Sequence, residues 1–220
     1  MLTALIGTLA LFYLNFISEF SCPSDLTMSD GQRSIFLDGH NDLRRKVAFG
    51  RYENREGYPA IGPAKNMYAL SWDCELERKA QQSVASCSLE QGPGGEDGRN
   101  MMALSGSPSL SDDLYAQIAV LNWVSPVKFF GKNDPTNGYE ERFCPFANVS
   151  GWRAMANADT TKVGCSIKRC GRDFFATCFY DKCHTVENPL IFEKGEACRT
   201  GDDCTTFPDS DCDNGLCIIH

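Results

Sequence analysis

Twelve cysteines constrain this 220-residue chain more than any other feature: Cys22, Cys74, Cys87, Cys144, Cys165, Cys170, Cys178, Cys183, Cys198, Cys204, Cys212 and Cys217. Their number is even and all follow an apolar leader, as an oxidised disulfide framework requires. Zinc would need paired cysteine knuckles or a His-x3-5-His pair. The tightest spacings, Cys165 to Cys170 and Cys178 to Cys183 among them, leave four residues between. The three histidines (His40, His184, His220) stand far apart, so disulfides are expected.

The leader runs from Leu2 to Ile17, broken only by Thr3, Gly7, Thr8 and Asn15. It is too short for a membrane span and suits a signal peptide over residues 1–21, although no Lys or Arg precedes it. A buried N-terminal helix is the competing reading, and the cysteines weigh against it. Removing residues 1–21 leaves 199, enough for one core and a small appendage. The net charge of −8 becomes −7 with the loss of Glu19. An acidic chain without a basic stripe is a poor nucleic-acid binder.

Ser29 and Gln32 read as a capping box opening a helix over about residues 30–48, with Phe36, His40, Leu43 and Val47 on its buried face. Gly50–Lys65 reads as a long loop. A second helix after Asp73 is expected to bury Leu76, Ala80, Val84 and Cys87. Gln91–Gly98 reads as a glycine-rich surface loop. A third helix starting near Ser111 is expected to bury Leu114, Ile118 and Leu121 and to stop by Pro126. Val163, Cys165 and Ile167 then alternate with smaller or polar residues, and a turn at Gly171-Arg172-Asp173 leads into the strand-like run Phe174–Tyr180. These segments predict an antiparallel hairpin. The Asp/Gly/Thr-rich tail carrying Cys198, Cys204, Cys212 and Cys217 cannot build a core alone.

Few groups are placed for chemistry. A nucleophile needs a base within reach and a third group to orient that base. His40 lies on an apolar helix face and reads as a packed, hydrogen-bonded core residue; His184 follows a cysteine and His220 ends the chain. Asp209-Ser-Asp211-Cys-Asp213 imitates a calcium loop, but Asn214 stands where glycine is needed and His220 where the bidentate Glu belongs. The glycine-rich loop follows a helix instead of a strand, so it is no phosphate cradle. Asn148-Val149-Ser150 is an N-glycosylation sequon.

His40-Asn41-Asp42-Leu43-Arg44 resembles the HN-x-x-R opening of the CAP superfamily of cysteine-rich secretory, antigen 5 and pathogenesis-related proteins. Met67–Glu77 leading to Cys87, Val163-Gly-Cys165 and Cys178-Phe-Tyr180 are similar to that family's second helix and core strands. The last eight cysteines resemble those of its nematode secreted branch. The resemblance covers about residues 30–217. It implies an α+β fold, a three-layer α-β-α sandwich with a small antiparallel sheet, as residues 22–183, then a cysteine-rich extension over 184–220.

Many family members carry two His and two Glu in a cavity that can hold a divalent cation. Their counterparts here are Gln91, Arg99, Pro126 and Gly151. The resemblance therefore implies a degenerate cavity, no metal or other cofactor, and no enzyme. It also implies a secreted binding protein of a parasitic nematode, since hookworm members include platelet and neutrophil inhibitors that block integrins. The expected partner is a host cell-surface receptor such as an integrin. No Arg-Gly-Asp or Lys-Gly-Asp is present; Asp97 and Asp202, the latter after Arg199-Thr-Gly201, are the loop aspartates a receptor metal could meet, and each also suits an ordinary turn. The alternative is an extracellular sterol or lipid carrier.

Overall fold

The computed structural model describes residues 20–88, 98–106, 109–131, 136, 151–182 and 190–220. The leader through residue 19, Gln91, Asp97, Cys144, Asn148, Cys183 and His184 lie outside the described residues.

Helix α1 (Asp30–Ala48) begins at the expected capping box: Ser29 Oγ accepts from Gln32 N, and the Gln32 side chain accepts from Ser29 N. Phe36, His40, Leu43 and Val47 are all buried on its inner face, joined by Arg33 and Arg44. Two short strands follow, β1 (Ala64–Lys65) and β2 (Ser71–Trp72). Asp73 then caps α2 (Cys74–Val84) by accepting from Glu75 N and Leu76 N. The helix buries Leu76, Ala80 and Val84 as expected but stops short of Cys87. Cys87 is exposed at φ 56° and tethers the outgoing chain to Cys170 instead of filling the core.

Residues 98–105, which show no simple alternation, form strand β3 (Gly98–Ser105). Ser111 caps α3 (Asp112–Val124), and Pro126 opens a short continuation, α4 (Pro126–Phe130). The buried face of α3 is Tyr115, Ala116, Ala119, Val120 and Trp123. This corrects the expected face: Leu114 and Leu121 are exposed and Ile118 is only partly buried. The helix is apolar nearly all round, so periodicity could not choose between its two faces. Helix α5 (Gly151–Ala156) precedes the expected hairpin of β4 (Lys162–Cys170) and β5 (Asp173–Tyr180). Gly171 at φ 64° makes its tight turn.

The main sheet has the order β2-β4-β5-β3, with β2 parallel to β4 and the other pairs antiparallel. Helix α2 covers one face, while α1, α3 and α5 pack together on the other, giving three layers, α-β-α. Close approach of α2 to the sheet depends on Gly164, where a Cβ would stand 2.1 Å from Glu77 N.

Strand β6 (Glu193–Lys194) pairs with β1, and the tail forms a hairpin of β7 (Ser210–Asp213) and β8 (Leu216–Ile219). Asn214 and Gly215, both at positive φ, make its turn. Five disulfides are described: Cys22–Cys74, Cys87–Cys170, Cys165–Cys178, Cys198–Cys212 and Cys204–Cys217. Among the described residues, no helix is long and apolar enough to cross a membrane.

Candidate functional site

The His40–Arg44 segment works as three anchors. His40 is fully buried, its Nδ1 2.7 Å from Phe36 O and its Nε2 2.7 Å from the Tyr180 hydroxyl. A carbonyl can only accept, so Nδ1 carries the proton and Nε2 accepts from the Tyr180 hydroxyl. Asn41 mimics a backbone partner, donating to Leu70 O at 3.0 Å and accepting from Leu70 N at 2.8 Å. Arg44, wholly buried, donates to five carbonyls: Tyr68, Met155, Asn157, Ala158 and Thr160. Its guanidinium stitches α1 to the chain leaving α5. Burial pushes Arg44 down to about 9, leaving it charged at neutral pH.

The polar chain continues beyond His40. Asn100 on β3 donates from Nδ2 to the Tyr180 hydroxyl at 2.9 Å and to Gly151 O at 3.0 Å. Burial holds His40 down to about 4 and raises the Tyr180 phenol well above its usual range, so both are neutral. With each imidazole nitrogen engaged and no solvent contact, His40 is not free to act as a base toward a substrate.

Of the four positions that the family resemblance marks as cavity ligands, Gln91 lies outside the described residues. Gly151 stands against Trp123; a Cβ there would lie 2.5 Å from the Trp123 Cβ. Pro126, opening α4, offers no ligand atom. Arg99 points to the other face of β3 from Asn100, donating to Ser83 on α2 and to Thr177, with its guanidinium over the Phe179 ring. Strand alternation thus separates Arg99 from the Gly151–Trp123 contact, so its charge is directed toward α2. The described residues at these places do not fit a metal: Gly151 has no side chain, Pro126 no donor atom, and Arg99 is a cation directed to the other face. The sulfurs of Cys198, Cys204 and Cys217 also cluster, but all three are held in disulfides.

Asp202 is exposed in a 3-10 turn, Gly201–Asp203. The neighbouring Asp203 carboxylate accepts from Arg199 N at 2.8 Å and Thr200 N at 3.1 Å, and those bonds hold its pKa low. Arg199 and Asp202 are thus presented from a fixed turn. An apolar groove of about 360 Å³ runs between α1 and α3, lined by Ile35, Gly39, Leu43, Val120, Leu121 and Val124. The sequence reading missed the Asn100–Tyr180 link and this groove. Tyr180 lies in the Cys178-Phe-Tyr180 segment and Asn100 follows Arg99, but it takes a strand at 98–105 to bring the two together.

Comparison with known proteins agrees with this architecture. Residues 37–180 match the model of the CAP cysteine-rich secretory protein family. The Ancylostoma secreted protein of Ancylostoma caninum is 37% identical over 203 residues, covering 90% of this chain and 45% of the relative. The crystal structure of Na-ASP-1 superposes with a TM-score of 0.75 at 34% identity, over 91% of this chain and 48% of that one. The hookworm platelet inhibitor shares the fold, with a TM-score of 0.63 at 24% identity over 90% of this chain and 96% of its own. This chain spans less than half the length of the curated relatives it matches first. With the motif residues, the layered fold and the family model in agreement, the chain belongs to the CAP cysteine-rich secretory protein family.

Proposed function

We propose that this protein is a secreted, non-enzymatic binding protein of a parasitic nematode, acting on a host cell-surface receptor, with a platelet integrin as the first target to test. The observation that carries the reading is the missing donor set at the described cavity positions. Gly151 is closed off by Trp123, Pro126 brings no donor, and the buried histidine is spent on Phe36 and Tyr180. A stapled scaffold whose buried histidine is spent on structure points to the surface loops for function. The kinship with a hookworm secreted protein supports the host-directed setting. The proposal includes the signal peptide over 1–21, the division at residues 22–183 and 184–220, glycosylation at Asn148, and Asp202 as a receptor contact, with Asp97 as the other loop aspartate.

Agonist-driven platelet aggregation with and without the purified protein tests the reading. Inhibition that weakens in Asp202→Ala is expected, whereas no effect at micromolar dose removes the target. Stoichiometric zinc by elemental analysis would overturn the missing-donor argument. One observation favours a second reading, lipid carriage: the α1–α3 groove is apolar and edged by the Asp42–Lys46 ion pair. Saturable binding of tritiated cholesterol or a fatty acid, lost on Gly39→Leu, would move the assignment to a carrier.

A further inference from the structure

From Leu114 to Val127 the chain has no charged residue, in a protein of which 23% is charged. That stretch forms most of α3 and the start of α4, and Ser125 keeps helical dihedrals (φ −68°, ψ −31°) between them. Inward, the helix buries Tyr115, Ala116, Ala119, Val120 and Trp123. On the outward side, Leu114 (38% exposed) and Leu121 (59%) stand seven positions apart, the half-buried Ile118 between them also packs in part against the core, and Phe129 (70%) extends the line on α4. A helix apolar on all sides is normally covered on all sides. Here the fold described covers one.

We infer that this outward stripe is the contact face for a second copy of the chain, paired about a two-fold axis. Three observations favour a copy of itself. Spacing makes the stripe self-complementary: with two α3 helices antiparallel, Leu114 of one lies opposite Leu121 of the other, and the exposed edges of the two half-buried Ile118 side chains fall near the axis. The absence of charge lets two acidic chains approach here without opposing like charges. The area suits a modest dimer. Leu114, Ile118, Leu121 and Phe129 leave roughly 350 Å² of apolar side chain per copy, and with Gln117, Asn122 and Ser125 a pair would bury on the order of 1,200 Å². That is the lower end for a specific interface. Antiparallel helix dipoles add to the pairing.

Sedimentation equilibrium of the full, disulfide-intact protein tests this directly. A concentration-dependent dimer is expected, with Leu121→Glu raising its Kd by more than about tenfold. Leu190→Glu, at an exposed leucine away from α3, serves as the control and leaves the Kd unchanged. The register has its own test: mixing Leu121→Glu with Leu114→Lys protomers restores a mixed dimer, because those two positions face each other. Near-ultraviolet circular dichroism confirms that each variant remains folded; Leu121 is exposed enough for substitution to spare the core. A protein monomeric throughout, or a dimer indifferent to Leu121→Glu, overturns the proposal. Failure of the mixed dimer alone overturns the antiparallel register.

Discussion

At the scale of single residues, His40 shows how one buried ring sets a pH dependence. Burial drives its folded-state pKa to about 4, against 6.5 for an exposed histidine. Between those values the unfolded chain binds a proton that the folded chain refuses, so this contribution is complete above pH 6.5 and is lost as pH falls toward 4. The difference corresponds to up to about 3 kcal/mol. Urea unfolding from pH 7 to pH 4 is expected to show that decline, and His40→Gln to remove most of it while lowering stability at pH 7. An equally steep decline in His40→Gln would assign the slope to other groups. The packed role of His40 was legible from its place on an apolar helix face. Its partners were not, because Tyr180 and Asn100 lie 140 and 60 positions away in the chain and only strand pairing joins them. Leu114 and Leu121 were misread for a different reason: aliphatic side chains stand on both faces of α3, and tertiary packing alone chose Tyr115 and Trp123.

At the scale of elements, the sandwich depends on how closely α2 lies on β4. Gly164 has no side chain because the backbone of α2 occupies that space: Glu77 N, the Leu76 carbonyl carbon and Asp73 O all stand within 2.6 Å of a Cβ built there. The same helix is tied to α1 by the buried Arg33–Glu77 pair, with Glu77 also accepting from the Trp72 indole at 2.8 Å. A displaced helix would strain this pair as well. Gly164→Ala is therefore expected to cost about 3 kcal/mol or more. Gly171→Ala is the comparison. Its φ of 64° disfavours alanine, but no atom lies within 4 Å, so about 1–2 kcal/mol is expected. Chemical denaturation of both variants checks the order; equal losses would show that α2 shifts at little cost. Legibility followed local chemistry here. The caps at Ser29, Asp73 and Ser111 and the hairpin turn at Gly171 are written in adjacent residues, and all stand where expected. Strand β3 is not, since Gly98–Ser105 is buried at its first three positions without a break and its pairing with β5 spans 70 residues or so. The Asn214-Gly215 turn was legible in principle, because Asn-Gly is a strong hairpin signal.

At the scale of the whole molecule, the described contacts join the tail to the sandwich by packing and hydrogen bonds. Both described disulfides of the tail, Cys198–Cys212 and Cys204–Cys217, close within it. Its attachment centres on Asn66–Ala69, with Asn66 pairing Thr205 and Arg45 donating to Asn214 O beside them. Cys217 N donates to Met67 O at 2.9 Å, and Ala69 N donates to Cys217 O at 2.7 Å. Tyr68, fully buried, meets Phe207 edge-on at 4.9 Å, and its hydroxyl accepts from Phe207 N at 3.0 Å. Tyr68 therefore supplies the apolar centre that four cysteines and one phenylalanine could not make alone, while Leu216 reaches into the main core. Removing its ring would leave a cavity at this joint and an unpaired amide at Phe207, costs that add to several kcal/mol. In Tyr68→Ala, hydrogen exchange read by mass spectrometry is expected to accelerate over residues 198–217 and to stay slow in β4 and β5, because both tail disulfides survive and the sandwich keeps its own core. Tyr68→Phe, which keeps the ring and loses the hydroxyl, should lie between. Unchanged exchange in the tail of Tyr68→Ala would mean that the hydrogen bonds at Cys217, Asn66 and Arg45 suffice to hold it. Acceleration across β4 and β5 as well would mean that tail and sandwich unfold as one unit, and that Arg199 and Asp202 are presented from the body of the fold.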